Sequence, residues 1–416
     1  MKKEQYSHKD FTVQYFNNVS AQERIVEFQK YIDQLKNNNH EIFWVEAKSG
    51  LKPEIEMMGN DGEVRDFLSF VSNDYLGMSQ NEETIQAGIS GISEYGTGVC
   101  AAPCIGGYLD IHKKLEKDLA EFVGTEDAML FSSGYGANSG TVSALLGKND
   151  LAIIDTGVHT SILDGLRSTN VKMIPHNKLE YLELALKNEQ FNYKTRMVII
   201  DGVYSQDGDL SPLPEIIDLC KKYDALLLLD DAHGVGVIGN NGRGTCEYYD
   251  VLGQVDLLTG TFSKAFGCVG GFVAGSKKII QYLKYYANTT IFSASIIPQV
   301  TFSVHKALNI IKSDTTLIKK LWKNTNYLKN RLIAEGFDIG QTASPIIPFM
   351  VRDDYKVKEI TMMLKKMGIY TVGIVYPAVR SKEARIRITV TATHETSHLD
   401  QLVDSLCFIS EKICIK

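Results

Sequence analysis

The stretch ALLLLDDAHGVG, residues 225–236, decides the fold. A short apolar run ends on Asp230 and opens directly into a glycine-rich loop. Four to six apolar residues are too few for a helix, but they suit a strand buried on both faces. The same form recurs on either side, in AMLF (128–131), LAIID (151–155), VKMI (171–174), RMVIID (196–201), VDLLTG (255–260) and GFVAG (271–275). Helical stretches separate these runs. DIHKKLEKDLAEFVG (110–124) sets Ile111, Leu115, Leu119 and Phe122 on one face before a glycine stop, and PLPEIIDLCKKYD (212–224) carries prolines at its start. Prolines are tolerated there because the first N–H groups of a helix have no internal partner. The pattern predicts an α/β fold with a mostly parallel central sheet covered by helices.

The flanks read differently. Residues 1–60 form an expected N-terminal arm or subdomain, with a helical face in QERIVEFQKYIDQLKNNN (22–39). Residues 61–300 are the expected large domain. Residues 301–416 alternate helices with extended pieces (IIPFMV, YTVGIVYPAV, ARIRITVTA), which predicts a smaller α/β domain. MKKEQYSHKDFTVQYF has no apolar stretch after its lysines, so it is not expected to be a secretory signal. No window holds 18 apolar residues, so no integral membrane span is expected.

The chain has 416 residues, 44% apolar and 23% charged, with a net charge of −6. It lacks a basic block, which argues against nucleic-acid binding. Seven cysteines, at 100, 104, 220, 246, 268, 407 and 414, include no CxxC pair. No metal site is expected, and reduced thiols fit a cytoplasmic protein.

Ligands of open parallel sheets bind beyond the carboxyl ends of the strands. Residues just past those ends are Ser133-Gly134-Tyr135, His159, Asp201 to Ser205, Asp230 to His233, and Thr261 to Lys264. Lys264, in GTFSKAFGCVGG, can form an imine with an aldehyde cofactor; the alternative is a solvated turn lysine. Asp230 can pair with a protonated ring nitrogen or merely cap a turn. Strand side chains alternate, so only one of Asp230 and Asp231 can face such a ring. His159 can stack on a flat ring and His233 can bond a ring oxygen; each alone also suits a loop. SSGYGAN (132–138) starts a helix and offers N–H groups to a phosphate, without the GxxxxGK[ST] or GxGxxG patterns. Arg387, in a strand, offers a rigid fork to a carboxylate or to a surface salt bridge.

In combination these stretches resemble the α-oxoamine synthases, fold-type I enzymes dependent on pyridoxal 5′-phosphate (PLP). The motifs run in order from Phe67 to His394: SNDYLG, YGTG, LDIHKKLEKDLAEFVG, FSSGYGAN, DGVYSQDGDLSPLPEI, DDAHGVGVIGNNGRG, GTFSKAFGCVGG, FSAS and ARIRITVTATHE. The resemblance implies Lys264 as the Schiff-base lysine, Asp230 as partner of the pyridine nitrogen and His159 as the stacking ring. It places His233 and Ser205 near the phenolic oxygen, and Gly134, Tyr135 and Thr261 on the phosphate side. It gives Arg387 the substrate carboxylate and Asn73 a place near the amino acid. It also implies a homodimer with active sites at the interface, into which FSAS (292–295) reaches.

GTFSK, GGFVAG, FSAS, LDIH and PAV…ATH resemble the bacterial serine palmitoyltransferase branch. That implies an acyltransferase joining a small amino acid, serine foremost, to a long-chain acyl-CoA or acyl carrier protein thioester. The product is an amino ketone of the sphingolipid-base type, with CO2 and thiol released. Peripheral membrane contact is compatible with such a substrate. Departures are Pro103 in AAPCIGG, YSQDGD at 204–209 and Arg380 in YPAVRSKEAR. Arg380 suits an anionic amino acid such as cysteate, or a surface loop. The alternatives are the sulfonolipid reaction, 2-amino-3-ketobutyrate CoA ligase or 8-amino-7-oxononanoate synthase chemistry, a PLP aminotransferase, and an inactive regulatory subunit. The last is disfavoured by the presence of Lys264, Asp230 and His159.

Overall fold

A computed structural model describes residues 19–37, 44–59, 62–376 and 378–413. The readings of residues 1–16, Cys414 and Pro377 lie outside the described residues. The expected central sheet has seven strands. From edge to edge they are Asp127–Phe131, Gly271–Gly275, Leu257–Thr261, Leu226–Asp230, Arg196–Asp201, Leu151–Asp155 and Asn170–Ile174. All neighbours pair in parallel except Gly271–Gly275, which runs antiparallel to both of its partners.

Period-two alternation sorts each strand between two cores. Leu227, Leu229, Val198, Ile200 and Ile153 pack into the larger one. Leu228, Met197, Ile199, Ile154 and Val273 pack on the opposite face with Val142 and Ile162. Double-sided burial is why these strands read as unbroken apolar runs. The edge strand Asn170–Ile174 is the exception, with Val171 and Met173 exposed. The larger core also takes Val304, Ala307, Leu308 and Ile311 from the helix Pro298–Ser313, and Ile318 and Leu321 from Thr316–Ala334. It therefore extends past residue 300.

A separate core holds Leu328, Leu332, Ile347, Phe349, Ile386 and Ile388 with the last helix, Thr396–Lys412. Its sheet is antiparallel, ordered Ile346–Met350, Arg385–Thr389, Val372–Ile374. The expected helix over residues 22–39 forms as Ala21–Asn37. Val64–Ser69 pairs with Glu54–Met58 on one side and Ile369–Tyr370 on the other, tying the first part of the chain to the last. The stretch 42–50, read as a strand or extended turn, contributes one bridge, Ala47 to Met57, among the described residues. No described helix is long and apolar enough to cross a membrane.

Candidate active site

A cavity of about 310 Å³ opens beyond the carboxyl ends of the central strands. Of the residues singled out in the sequence, it is lined by Gly134, Tyr135, His159, Ser205, Asp230, His233, Thr261 and Lys264. They arrive from five strand ends, as an open parallel sheet allows.

Asp230 ends its strand on the face that carries Leu228, against the helix Gly134–Leu145. Its Oδ2 accepts from Asn138 Nδ2 at 2.6 Å and its Oδ1 from the Ala232 N–H at 3.0 Å. Asp231 turns to the other face, where it accepts from the Thr245 N–H and hydroxyl at 2.8 and 2.9 Å. Burial raises the Asp231 carboxyl to about 7. Packing thus gives the cavity Asp230 and turns Asp231 away.

Burial lowers the Lys264 amine to about 8, even though Asp230 favours its charged form. A neutral amine is therefore accessible near neutral pH, as a nucleophile or base requires. His159 caps the short helix Thr160–Gly165, and its Nδ1 lies 2.7 Å from Ser161 Oγ. Burial also lowers its pKa, so the ring is neutral in the cavity. Tyr135 stands edge-on to it, with ring centroids 6.3 Å apart.

Ser133 caps the helix Gly134–Leu145, its Oγ accepting from the Gly136 N–H at 2.9 Å. The N–H groups of Gly134 and Tyr135 begin the helix and have no acceptor within it. A Cβ at Gly134 would come within 2.7 Å of Thr261 Oγ1, so only glycine leaves the cradle open.

Arg387 is held beside this cavity by three bonds. Nε donates to the Ser205 carbonyl at 2.6 Å, one terminal nitrogen to Thr389 Oγ1 at 2.8 Å, and the other to Asn73 Oδ1 at 3.1 Å. Asn73 thus meets Arg387 although 314 residues separate them. Its strand neighbour on the same face, Arg385, pairs with Asp207 instead. Arg380 is not brought in: it is exposed, before the turn Ser381–Glu383, and does not line the cavity.

Residues 65–406 match the family model described as aminotransferase class I and II. The chain is 39% identical to the serine palmitoyltransferase of Sphingobacterium spiritivorum, over 92% of this chain and 95% of that one. It is 42% identical to the 8-amino-7-oxononanoate synthase of Petrotoga mobilis, over 80% and 86%. The chain belongs to the α-oxoamine synthases. Among solved structures, this α-oxoamine synthase resembles Sphingomonas wittichii serine palmitoyltransferase with a TM-score of 0.89 and 29% identity, covering 95% of this chain and 99% of that one. A second, described as SPT with a PLP internal aldimine, gives 0.88 and 28%, covering 94% and 99%.

The cofactor of this PLP-dependent acyltransferase family fits the cavity on independent counts. The helix start and Gly134 offer a phosphate cradle. Asp230 is oriented by two donors, and Lys264 lines the same cavity with a lowered pKa. The sequence reading missed Asn138, which aims Asp230, and Tyr75, whose hydroxyl lies 2.7 Å from His233 Nδ1. It singled out Asp201 as a strand-end candidate without giving it a role; Asp201 lines the cavity, and its pKa is raised by burial and by Asp230. SSGYGAN and SNDYLG contained the first two, but which side chains they would meet depends on packing between distant segments.

Proposed function

We propose that the chain condenses a small α-amino acid, serine foremost, with a long-chain acyl thioester, releasing CO2 and free thiol and leaving an amino ketone. The observation that carries the amino-acid half is the half-buried Arg387 beside Lys264's cavity. Ser205, Thr389 and Asn73 hold its guanidinium in place and Tyr75 is a further partner, which fixes a rigid cation that can pair with a carboxylate. The acyl half is supported by similarity to proteins named serine palmitoyltransferase.

When bound, PLP supplies an electron sink for the bond broken at the substrate Cα. Asp230, fixed by Asn138, would hold a proton on the ring nitrogen. Lys264 would hold the cofactor's aldehyde carbon and, as a free amine, would accept the substrate Cα proton at Nζ. His159 would cover one face of the ring, and His233 and Ser205 would meet its oxygen side. Gly134, Tyr135 and Thr261 would hold the phosphate, while Arg387 and Asn73 would orient the substrate carboxylate.

The protein acts as a homodimer, a reading supported by Phe292, 84% exposed, and Tyr285, 72% exposed, beside the Ser132–Ser293 contact near the cavity. A fully active monomer in light scattering would refute it. Free Cys100 and Cys104, both exposed, fit the reducing cytoplasm.

Condensation of alanine with a pimeloyl thioester is the second reading, favoured by the 42% identity to an 8-amino-7-oxononanoate synthase. Crossing serine, cysteate, glycine and alanine with acyl-CoAs of increasing length and pimeloyl thioester separates the two. Thiol and CO2 release should be fastest with serine and palmitoyl-CoA. Turnover confined to alanine with pimeloyl thioester would overturn the lipid reading.

A further inference from the structure

Tyr75 lies in the SNDYLG loop that follows the strand Val64–Ser69, and it is fully buried. Its backbone is tied down from the other end of the chain, since its carbonyl accepts from the Ala392 N–H at 2.7 Å. The ring meets His233 edge-on, at 69° with centroids 6.1 Å apart, and its hydroxyl lies 2.7 Å from His233 Nδ1. His233 lines the cavity, where its Nε2 has no partner among the described residues.

We propose that Tyr75 is a positioning residue that donates its hydroxyl proton to His233 Nδ1, fixes the ring as the Nε2–H tautomer and so makes His233 a hydrogen-bond donor into the cavity.

The argument is one of proton supply. Both groups are neutral: burial raises the Tyr75 phenol to about 12, though Arg387 works against this. Burial lowers the His233 imidazole well below its usual range, helped by Lys264, Arg387 and His159. A neutral phenol has one proton to place. The other polar group acting on Tyr75 is Arg387, which can only donate. His233 Nδ1 is the remaining acceptor, so its lone pair faces Tyr75 and the ring's single N–H sits on Nε2. The opposite tautomer would leave the Tyr75 proton buried without an acceptor and present a lone pair to the cavity. That lone pair would repel an anionic oxygen, whereas Nε2–H stabilises one. The identity of that oxygen as the cofactor's phenolic group rests on the function proposed above; the tautomer does not.

Nitrogen-15 NMR of the purified chain with labelled histidine reads the tautomer directly. The expected His233 signals show a protonated Nε2 and a bare Nδ1. Tyr75→Phe, which removes one oxygen and keeps the ring, should abolish that preference. In the cofactor-loaded protein, Tyr75→Phe should raise the pH midpoint of the visible absorbance by about half a unit to one unit, because the anionic oxygen loses its best donor. In a His233→Ala background the same substitution should add no further shift. A wild-type signal with Nδ1 protonated would overturn the proposal, as would an equal Tyr75→Phe shift in both backgrounds. Protein that binds no PLP but shows the Nε2–H tautomer would refute the proposed function and leave the role of Tyr75 standing.

Discussion

Asn138 Nδ2 donates to Asp230 Oδ2 at 2.6 Å and also to Ser161 Oγ at 2.9 Å. One buried amide therefore sets the direction of the carboxylate that lines the cavity. Hydrogen bonds to a charged group contribute about 1.5–3 kcal/mol, which corresponds to roughly 10- to 150-fold. Asn138→Ala should lower kcat by that order with Lys264 still able to capture PLP. Unchanged kcat in steady-state assays would show that Asp230 is held by the Ala232 N–H alone.

Gly134 is the steric test of the phosphate cradle. The methyl of Gly134→Ala would meet both Thr261 Oγ1 and Cβ within 2.8 Å. The variant should fold, as judged by circular dichroism, yet bind PLP at least tenfold more weakly in equilibrium titration. Retained affinity would place the phosphate elsewhere.

Lys264 should capture PLP with its own pH profile. Only the neutral amine attacks the aldehyde, and its pKa lies near 8, so the capture rate should rise with pH up to about 8 and then level off. An ordinary lysine would still be gaining rate up to about pH 10. Stopped-flow mixing of apoprotein with PLP measures this. Borohydride trapping followed by peptide mapping should find the adduct on Lys264, and Lys264→Ala should abolish it.

His176 ties the loop carrying Ser205 to the central sheet. Its Nδ1 lies 2.8 Å from Asp155 and its Nε2 2.9 Å from Asp209. Burial lowers its pKa, but the two carboxylates outweigh this and bring it to about 10. Because the folded pKa is raised, this stabilisation is complete below about pH 6.5 and disappears as pH rises through 10. His176→Gln should cost about 2 kcal/mol at pH 6, discounted because the ring is a third exposed, and little at pH 10. Urea denaturation at the two pH values checks it; an equal cost at both would refute the charged clamp.

Arg387 and Arg380 should separate cleanly. Loss of a charge-assisted pair from a closed site costs about 2–4 kcal/mol. Arg387→Ala should therefore raise the amino-acid KM about 30-fold or more, with PLP still bound. Arg380, exposed and outside the cavity, should be silent with serine. A selective loss with cysteate in Arg380→Ala would instead bring that loop to the substrate.

The sequence by itself determined the central sheet and the loops that hold its ligands. Runs such as RMVIID and ALLLLD are apolar at every position because their strands are buried on both faces, and that composition is legible residue by residue. The order of PLP-type motifs was equally legible, because each is local in the chain. Alternation left Asp230 and Asp231 as alternatives; packing decided between them, by setting Asn138 on one face and Thr245 on the other. The contacts Asn73 to Arg387, Tyr75 to His233 and His176 to Asp209 were likewise decided by tertiary structure. Each joins side chains from different elements at hydrogen-bonding distance, and neither propensity nor periodicity carries information across such gaps. Arg385 and Arg387 share a face and a residue type, yet one meets Asp207 and the other the cavity's edge, a distinction made only by what the folded chain brings opposite each.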